Sequence, residues 1–403
     1  MKYIVVLGDG MADRDIKELG NKTILDVAKK PNIDSLKGIM GMVKTVPDTL
    51  KPGSDVANLA VMGYNPLECY TGRSPLEAVS IGIKMKDTDV AIRCNLVTLS
   101  DEEDIKKRKM LDYSAGEIST NEANELIKAV EEALGDSEFK FYPGISYRHC
   151  LIWDKGQTGL NLTPPHDISD RVTGEYLPKN DKLFKLMERS YDILKNHPVN
   201  LKRIREGKNP ANSIWLWGEG TKPRIENFKE KTGLKGAVIS AVDLIKGIGI
   251  SAGMESIDVE GATGTLDTNY EGKLEAAKKT LLKDGNDFVY IHLEGPDECG
   301  HHGDIEGKIL AVERIDKNIV GPLCKALRDA GEDFAMLIMP DHPTPIETRT
   351  HSSDPVPFKI YRSNDEKEGA EVYSEKNAGK SGIFIEDGYT LLTKFINNDI
   401  QNL

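Results

Sequence analysis

The chain has 403 residues, of which 39% are hydrophobic and 29% are charged, and its formal net charge is −12. This length exceeds what one compact core accommodates, so two domains are predicted, and the acidic excess argues against nucleic acid as a partner, because phosphate backbones bind basic surfaces. No apolar run in the sequence is long enough to cross a bilayer, so no membrane partner is expected.

The first predicted element is a parallel strand at residues 3–8, a run rich in β-branched residues that ends at Gly8-Asp9-Gly10. Its apolar part is too short for a signal peptide, and we therefore expect a cytoplasmic protein. Residues 52–64 are predicted to form a loop that leads into a helix. Ser54 is the expected N-cap of this helix, where backbone N–H groups favour an anion.

The segment 88–200 is predicted to form a smaller α+β domain of its own. Its expected elements are a strand at 90–99, a helix at 120–134, a hairpin over 139–153 that turns at Pro143-Gly144, and a helix near 181–196. An α/β pattern then returns, with a strand at 213–216, a turn at 218–220 and a strand at 237–240. Residues 1–87 and 201–403 are therefore predicted to form one discontinuous domain that contains the insertion.

The last strands carry the strongest chemical signal. The apolar runs 288–293 and 334–339 predict buried strands, and each is followed within a few residues by an Asp and a His. These residues are Asp297 with His301 and Asp341 with His342. Carboxylates and imidazoles at the carboxyl ends of parallel strands are typical of a metal site.

Three further residues extend this set, namely Asp9, Ser54 and His351. Taken singly, each has a simpler interpretation as a turn residue, a helix cap or a solvated loop residue. Together with the Asp/His pairs they would supply oxygen and nitrogen ligands for two divalent cations, a mixture that suits Mn²⁺ or Zn²⁺ better than Mg²⁺ alone. A serine beside two cations suggests covalent phosphoryl transfer.

These motifs resemble the alkaline phosphatase superfamily and, within it, the archaeal-type 2,3-bisphosphoglycerate-independent phosphoglycerate mutases. The narrower resemblance also covers Tyr70 to Pro75, Tyr147-Arg148-His149 and Asn212 to Gly220, in order along most of the chain. It implies an α/β fold with an alkaline-phosphatase-like, mostly parallel sheet between helices. The smaller inserted α+β domain would bind substrate and act as a lid that excludes water.

The resemblance also implies a reaction of glycolysis and gluconeogenesis. Ser54 would take the phosphate from 3-phosphoglycerate and return it to the 2-hydroxyl, without 2,3-bisphosphoglycerate. One cation would be held by Asp297, His301 and His351, and the other by Asp9, Ser54, Asp341 and His342. Mn²⁺ is favoured, with Co²⁺, Zn²⁺ and Mg²⁺ as alternatives. Lys235 would match a lysine that neutralises the phosphoserine.

The inserted domain would bind the substrate through cationic side chains. A glycerate carboxylate and a migrating phosphate favour arginine, which donates two hydrogen bonds to such groups. The candidates are Arg73, Arg93, Arg148, His166, Asp167 and Arg171, although most surface arginines bind nothing. His149, with His166 and Asp167, would supply the proton transfers that activate the hydroxyl groups.

Two other functions stay open at this point. The same metal site with water as the acceptor would make the protein a phosphatase or phosphodiesterase, which would not need an inserted domain of this kind. The protein could also be a kinase-like phosphotransferase such as homoserine kinase, although the sequence has no Gly-x-x-x-x-Gly-Lys-Ser/Thr loop. The expected partner is a small phosphorylated substrate, and assembly into a homo-oligomer stays open.

Overall fold

The computed structural model describes residues 1–367 and 371–400 and divides the chain into two compact units. The first unit comprises Met1–Tyr70 and Arg224–Leu403, and the second comprises Thr71–Pro223. The second unit includes the predicted insertion 88–200 and extends beyond it on both sides. It is wider because the helix that starts at Arg73 belongs to it, with Ser74 donating a hydrogen bond to the carbonyl of Gly218.

The strands of the described residues are β1 (Lys2–Gly8), β2 (Ile39–Val43), β3 (Val90–Leu99), β4 (Met110–Asp112), β5 (Phe139–Ile145), β6 (Arg148–Trp153), β7 (Ser213–Thr221), β8 (Gly236–Ile239), β9 (Glu255–Ile257), β10 (Phe288–Leu293), β11 (Phe334–Met339), β12 (Val356–Arg362) and β13 (Phe384–Ile385).

The α-helices of the same residues are α1 (Ile24–Val27), α2 (Pro31–Ser35), α3 (Ser54–Val61), α4 (Pro66–Cys69), α5 (Arg73–Ser80), α6 (Thr120–Leu134), α7 (Asp181–Leu194), α8 (Pro198–Arg205), α9 (Phe228–Thr232), α10 (Asp243–Ser251), α11 (Tyr270–Leu282), α12 (Gly295–His302), α13 (Ile305–Ile315), α14 (Gly321–Asp329), α15 (Glu375–Lys380) and α16 (Leu391–Asn397). In this part of the chain, no helix combines the length and the apolar character that a membrane span requires.

The first unit is built on one large sheet, whose strand order is β13-β2-β12-β11-β1-β10-β8-β9. The strands β11, β1, β10, β8 and β9 run parallel, and β12 is antiparallel to both of its neighbours. Every residue of β10 and β11 is buried, which explains their continuous apolar runs. A mostly parallel sheet flanked by helices confirms the predicted α/β class.

The carboxyl ends of three neighbouring strands meet at one edge of this sheet. β1 lies between β10 and β11, with Gly8 beside Leu293 and Leu7 beside Met339. The residues that follow these strands therefore converge: Asp9 after β1, the start of α12 after β10, and Asp341 after β11. This edge is where an open parallel sheet places its ligands.

The second unit contains an antiparallel sheet in which β3 pairs with β4, β6 and β7, and β6 pairs with β5. Helices α6 and α7 contribute buried residues to its apolar core. Together these elements give the expected mixture of antiparallel strands and helices.

Two predicted turns of this unit were wrong. The hairpin turns at Ser146-Tyr147 instead of Pro143-Gly144, because β5 continues to Ile145 after a register irregularity. Residues 218–220 lie inside β7, where a second irregularity and a positive φ of 66° at Gly218 let the strand continue. Pro143-Gly144 in the first place and the glycines of 218–220 in the second marked an irregularity within a strand, which local sequence does not distinguish from a turn.

Candidate active site

The predicted ligands of the first unit lie together at the carboxyl edge of the large sheet. We call Asp297, His301 and His351 the outer half-site, and Asp9, Ser54, Asp341 and His342 the inner half-site. Each half-site combines carboxylate oxygens with imidazole nitrogens, which is the donor set expected for a borderline divalent cation.

The outer half-site brings two imidazole rings to one carboxylate. Asp297 and His301 lie one turn apart on α12, with His301 Nε2 3.2 Å from Asp297 Oδ2. His351 Nε2 lies 3.4 Å from Asp297 Oδ1, and the Nε2 atoms of the two histidines are 2.9 Å apart. Two ring nitrogens and a carboxylate that converge in this way form a ready cation ligand set.

Charge in the outer half-site follows from this contact. Hydrogen bonding to Asp297 raises the pKa of His301, against the effect of burial. Burial raises the pKa of Asp297, but its hydrogen bonds with the two histidines outweigh that effect and lower the pKa below the usual range. The side chain of His301 is 39% exposed, so the outer half-site is open to solvent on one side.

The inner half-site is buried and gathers around the ring of His342. His342 Nε2 lies 3.1 Å from Ser54 Oγ, 3.4 Å from Asp341 Oδ2 and 3.5 Å from Asp9 Oδ1. Asp9, Asp341 and His342 are at most 1% exposed. Burial lowers the pKa of His342, so its ring is neutral and offers a lone pair.

Asp9 of the inner half-site is buried close to two other carboxylates. Burial, together with repulsion from Asp341 and Asp297, raises the pKa of Asp9 well above its ordinary value. Among the described residues, Asp9 Oδ1 has no hydrogen-bond partner. Buried like charges and an orphaned carboxylate oxygen are costly unless a cation neutralises them, so these residues fit bound divalent cations. Asp297 belongs to both candidate ligand groups, the second being Asp9, Asp297 and His342.

Ser54 is the first residue of α3 rather than its N-cap, which is Gly53. The prediction of a capping serine was therefore wrong. Its hydroxyl faces His342 instead, while the first backbone N–H groups of α3 lie beside it. This is a favourable position for a phosphate, because the N-terminus of a helix attracts anions.

Sequence reasoning missed the side chains that hold the inner half-site in place. The amide of Asn58 donates to Asp341 Oδ2 at 2.7 Å and to the carbonyl of Ser54 at 2.8 Å, and its oxygen accepts from the hydroxyl of Tyr290 at 2.6 Å. The spacing of four between Ser54 and Asn58 on a helix was the available signal, because such residues share a face.

Gly10 and Thr344 connect the two half-sites. The Gly10 N–H donates to Asp341 Oδ1 at 3.1 Å, and the hydroxyl of Thr344 donates to Asp297 Oδ1. Gly10 has a φ of 63°, and a Cβ atom there would lie 2.6 Å from Thr344 Oγ1 and 2.7 Å from Asp297 Oδ1. Only glycine satisfies both the backbone angle and this close approach.

Lys235 is not brought to the site. It is exposed and precedes β8, and its carbonyl accepts from the N–H of Phe288 at the start of β10. The ligands follow the other end of β10, about 16 Å away along the strand at ~3.3 Å per residue. Its ammonium group donates to the carbonyl of Asp284, so its position does not support the predicted neutralisation of a phosphoserine.

In the second unit, a cation–aromatic cluster forms around Trp217. The Arg93 guanidinium lies 4.3 Å from the Trp217 ring centroid, and the His166 ring lies 5.5 Å from it. His166 Nε2 is 3.3 Å from Asp167. Trp217 lies in the segment Asn212 to Gly220, which carries the family resemblance, but it was not predicted as a site residue. Its position opposite Arg93 on paired strands brings the two side chains together.

The remaining predicted arginines lie around or beside this cluster. Arg73 and Arg93 each contact one oxygen of Glu77, at 2.9 and 3.0 Å. Arg148 is exposed and lies over the ring of Tyr147. Arg171 is exposed and donates to the hydroxyl of Tyr176 rather than to a member of the cluster.

The structure does not favour His149 as a proton acceptor. Its Nδ1 accepts a hydrogen bond from the N–H of Gly144, so the ring proton lies on Nε2. That Nε2 is buried and has no partner in the described part of the chain. Burial lowers the pKa of His149 to about 3. The ring therefore holds the β5–β6 hairpin as a neutral group, whereas the exposed His166 is accessible.

Comparisons with known proteins agree on one family. The sequence model of the family described as 2,3-bisphosphoglycerate-independent phosphoglycerate mutase matches residues 36–200. A relative from Geobacter sulfurreducens named "Probable 2,3-bisphosphoglycerate-independent phosphoglycerate mutase" is 50% identical over 398 residues, covering 97% of this chain and 98% of its own. A relative from Methanosarcina barkeri named "2,3-bisphosphoglycerate-independent phosphoglycerate mutase" is also 50% identical, and the match covers 95% of this chain and 96% of its own.

A solved structure extends the comparison to the fold. The cofactor-independent phosphoglycerate mutase from Thermoplasma acidophilum matches with a TM-score of 0.67 and 24% identity, and the match covers 100% of both chains. The likeness therefore spans the whole length of the chain.

Proposed function

The chain belongs to the 2,3-bisphosphoglycerate-independent phosphoglycerate mutase family, and on that premise we propose that it interconverts 3-phosphoglycerate and 2-phosphoglycerate through a phosphate carried on Ser54. The observation that carries this proposal is the position of the Ser54 hydroxyl, 3.1 Å from His342 Nε2 and at the first turn of α3. The reaction is a step of glycolysis and gluconeogenesis, and we propose a cytoplasmic protein whose partner is the small phosphorylated substrate.

The inner half-site would hold one divalent cation and the outer half-site a second. Bound there, such cations would polarise the phosphate oxygens and lower the pKa of the serine hydroxyl. Mn²⁺ is our first choice because the ligands mix carboxylate oxygen with imidazole nitrogen. Co²⁺, Zn²⁺ and Mg²⁺ are the alternatives that the metal experiment distinguishes.

The transfer itself is a double displacement. The Ser54 hydroxyl loses its proton and Oγ attacks the phosphorus of 3-phosphoglycerate, so that the bond from Oγ to phosphorus forms and the bond from phosphorus to the C3 oxygen breaks. The C3 oxygen gains a proton and the glycerate stays bound. The 2-hydroxyl then loses its proton and attacks the phosphoserine, the bond from phosphorus to Ser54 Oγ breaks, and Oγ takes up a proton as 2-phosphoglycerate forms. No second phosphorylated cofactor enters this balance.

We assign the glycerate part of the substrate to the cation–aromatic cluster of the second unit. Arg93 lies over the ring of Trp217, and its guanidinium can donate two hydrogen bonds to a carboxylate, which favours a carboxylate ligand. Accessible His166, beside Asp167, replaces His149 as the group that exchanges protons with the glycerate hydroxyls.

The proposal is tested with the purified chain, chelated, then supplied with Mn²⁺, Co²⁺, Zn²⁺ or Mg²⁺ in turn. With 3-phosphoglycerate as the sole phosphorylated compound, 2-phosphoglycerate should form only when a cation is restored, and metal analysis should find two cations per chain. Free phosphate without 2-phosphoglycerate would establish a phosphatase, and ATP-dependent phosphorylation of homoserine without mutase activity would establish a kinase.

Substrate binding by the second unit has its own test. Arg93→Met removes a charged hydrogen-bond donor, so KM for 3-phosphoglycerate should rise by roughly 10- to 100-fold, given about 1.5–3 kcal/mol for such a bond. Arg189→Met changes an exposed arginine on α7 and is the matched control. An equal KM in the two variants would contradict the assignment.

A further inference from the structure

Asp9 is supported from behind by a buried histidine that the reaction described above does not use. His292 lies on β10 and is fully buried, and its Nε2 lies 2.9 Å from Asp9 Oδ2. On the other side of the ring, its Nδ1 lies 3.2 Å from the hydroxyl oxygen of Ser240. Ser240, His292 and Asp9 therefore form a continuous hydrogen-bonded chain, which we call the Ser240 relay.

The directions of these hydrogen bonds follow from the backbone. Ser240 Oγ accepts the N–H of Val242 at 3.0 Å, which leaves its own proton to be donated. His292 Nδ1 is the available acceptor, so the ring proton of a neutral His292 lies on Nε2 and points to Asp9 Oδ2. The Ser240 relay thereby sets the tautomer of His292, because the hydrogen bond at one ring nitrogen determines whether the other carries the proton.

The relay leaves one particular oxygen of Asp9 for a cation. Oδ2 is occupied by His292, whereas Oδ1 has no hydrogen-bond partner in the described chain and lies 3.5 Å from His342 Nε2. A carboxylate held through one oxygen cannot rotate without breaking that bond. Its free oxygen is therefore directed at the other inner ligands.

The backbone of His292 is also fixed. The buried ammonium group of Lys273, on α11, donates to the carbonyl of His292 at 2.9 Å. Ser240 thus holds the ring of His292, and Lys273 holds its backbone. Movement of the ring or of the backbone would have to break a buried hydrogen bond. Such an arrangement suits a group whose task is to hold another in place.

We propose that Ser240 and His292 are positioning residues for the inner half-site: they fix Asp9 so that its Oδ1 atom binds the inner cation. This inference rests on the proposed function, because it assumes that the inner half-site binds a cation. Neither residue touches the substrate in this account. Substitution of a residue that hydrogen-bonds to a metal ligand typically lowers the metal affinity by about 10- to 100-fold.

The test measures cation binding rather than activity alone. Mn²⁺ is titrated calorimetrically into the chelated full-length chain, and the two binding steps are assigned with Asp9→Asn, which should lose the inner step, and His301→Ala, which should lose the outer step. His292→Leu should weaken the inner step by about 10- to 100-fold and leave the outer step unchanged. His292→Gln, whose amide N–H can replace the Nε2 donor, should recover most of the affinity.

Two comparisons separate positioning from loss of packing. Asn286→Ala removes a buried side chain just before the start of β10, far from Asp9, and should leave both binding steps unchanged. Ser240→Ala should weaken the inner step in the wild-type chain but have no further effect in His292→Leu, because the relay is already broken. This double-mutant comparison also applies if His292→Leu lowers stability.

The outcomes distinguish this inference from the function on which it rests. If the wild-type chain binds two cations and His292→Leu leaves the inner step unchanged, the relay is wrong while the proposed function stands. Additive effects of Ser240→Ala and His292→Leu would also overturn the relay. If the wild-type chain binds no cation, both proposals fail together.

Discussion

The two half-sites of the first unit share a donor set but differ in their exposure to solvent. In the inner half-site, each carboxylate accepts hydrogen bonds from residues behind it, and its members Asp9, Asp341 and His342 are almost completely buried. In the outer half-site, His301 is 39% exposed and His351 is 22% exposed. The inner half-site is therefore almost closed to solvent, whereas the outer half-site is partly open, although Asp297 and His301 also have hydrogen bonds, with Thr344 and with the carbonyl of Arg349.

This difference suits a covalent mechanism. Ser54, the proposed nucleophile, belongs to the buried half, where a small displacement of the attacking oxygen would slow the reaction strongly. The more exposed half can receive and release ligands more readily. Variants that affect one half, the other or both test whether this division exists.

The largest expected effect belongs to Ser54→Ala. Removal of the proposed nucleophile should reduce kcat by roughly 10⁴-fold or more. The outer binding step for Mn²⁺ and the thermal unfolding midpoint should stay close to wild type, because among the described residues the side chain of Ser54 hydrogen-bonds to His342 and does not cap α3. Steady-state kinetics and calorimetry measure both. Turnover within tenfold of wild type would contradict covalent transfer.

Gly10→Ala should damage both half-sites together. The added Cβ would lie 2.6 Å from Thr344 Oγ1 and 2.7 Å from Asp297 Oδ1 at a φ of 63°, so we expect a loss of about 2–4 kcal/mol in the free energy of unfolding and weaker binding of both cations. Gly20→Ala is the control, because its φ is 71° but nothing lies within 4 Å of the added atom. Equal losses in denaturant unfolding of the two variants would show that the close approach is unimportant.

A pair of variants should divide the half-sites. Asn58→Ala removes the donor to Asp341 and should weaken only the inner binding step, by about 10- to 100-fold. Thr344→Val removes the donor to Asp297 at nearly constant volume and should weaken the outer step more than the inner step, because Thr344 has only a longer contact, 3.4 Å, with His342. Calorimetric titration with Mn²⁺ measures each step. If either variant weakens both steps equally, the half-sites are not independent.

Release of the cations should reveal the difference in exposure. When a chelator is mixed with the loaded chain, cation loss should be biphasic, and the outer half-site should empty first because water and the chelator reach His301 directly. His301→Ala should remove the fast phase, and His292→Leu should speed the slow one. A single phase in the wild-type chain would argue for two equally held cations.

The smallest effect is expected at Lys235. Lys235→Met changes an exposed residue at the opposite end of the sheet from the ligands, so kcat/KM should stay within about twofold and stability within ~0.5 kcal/mol of wild type. The mutase assay and thermal unfolding measure these values. A tenfold loss of activity would restore the role predicted from sequence.

The sequence was most informative where one residue pattern has one structural meaning. Continuous apolar runs predicted β10 and β11 because a buried parallel strand needs apolar residues on both faces. The helix 120–134 was predicted with the bounds that the structure shows. The Asp and His residues after these strands were recognisable because few other patterns place acids and imidazoles directly after buried strands.

What the sequence could not supply was the network between distant segments. Asn58, Thr344 and His292 act on residues 283, 47 and 283 positions away, and no local pattern marks such contacts. His149 and Lys235 show the reverse problem. Both residue types suited the proposed chemistry. The hydrogen bond that His149 accepts from Gly144 does not favour a role as proton acceptor, and Lys235 lies at the opposite end of its strand from the ligands.

The most direct measurement is a single-turnover reaction of the Mn²⁺-loaded chain with 3-phosphoglycerate that carries a labelled phosphate, stopped in acid and analysed by peptide mass spectrometry. We expect label on the peptide that contains Ser54, which should appear before labelled 2-phosphoglycerate and decay as that product forms. Neither labelled species should form in Ser54→Ala. Label on another residue, or labelled 2-phosphoglycerate formed by Ser54→Ala, would contradict transfer through Ser54.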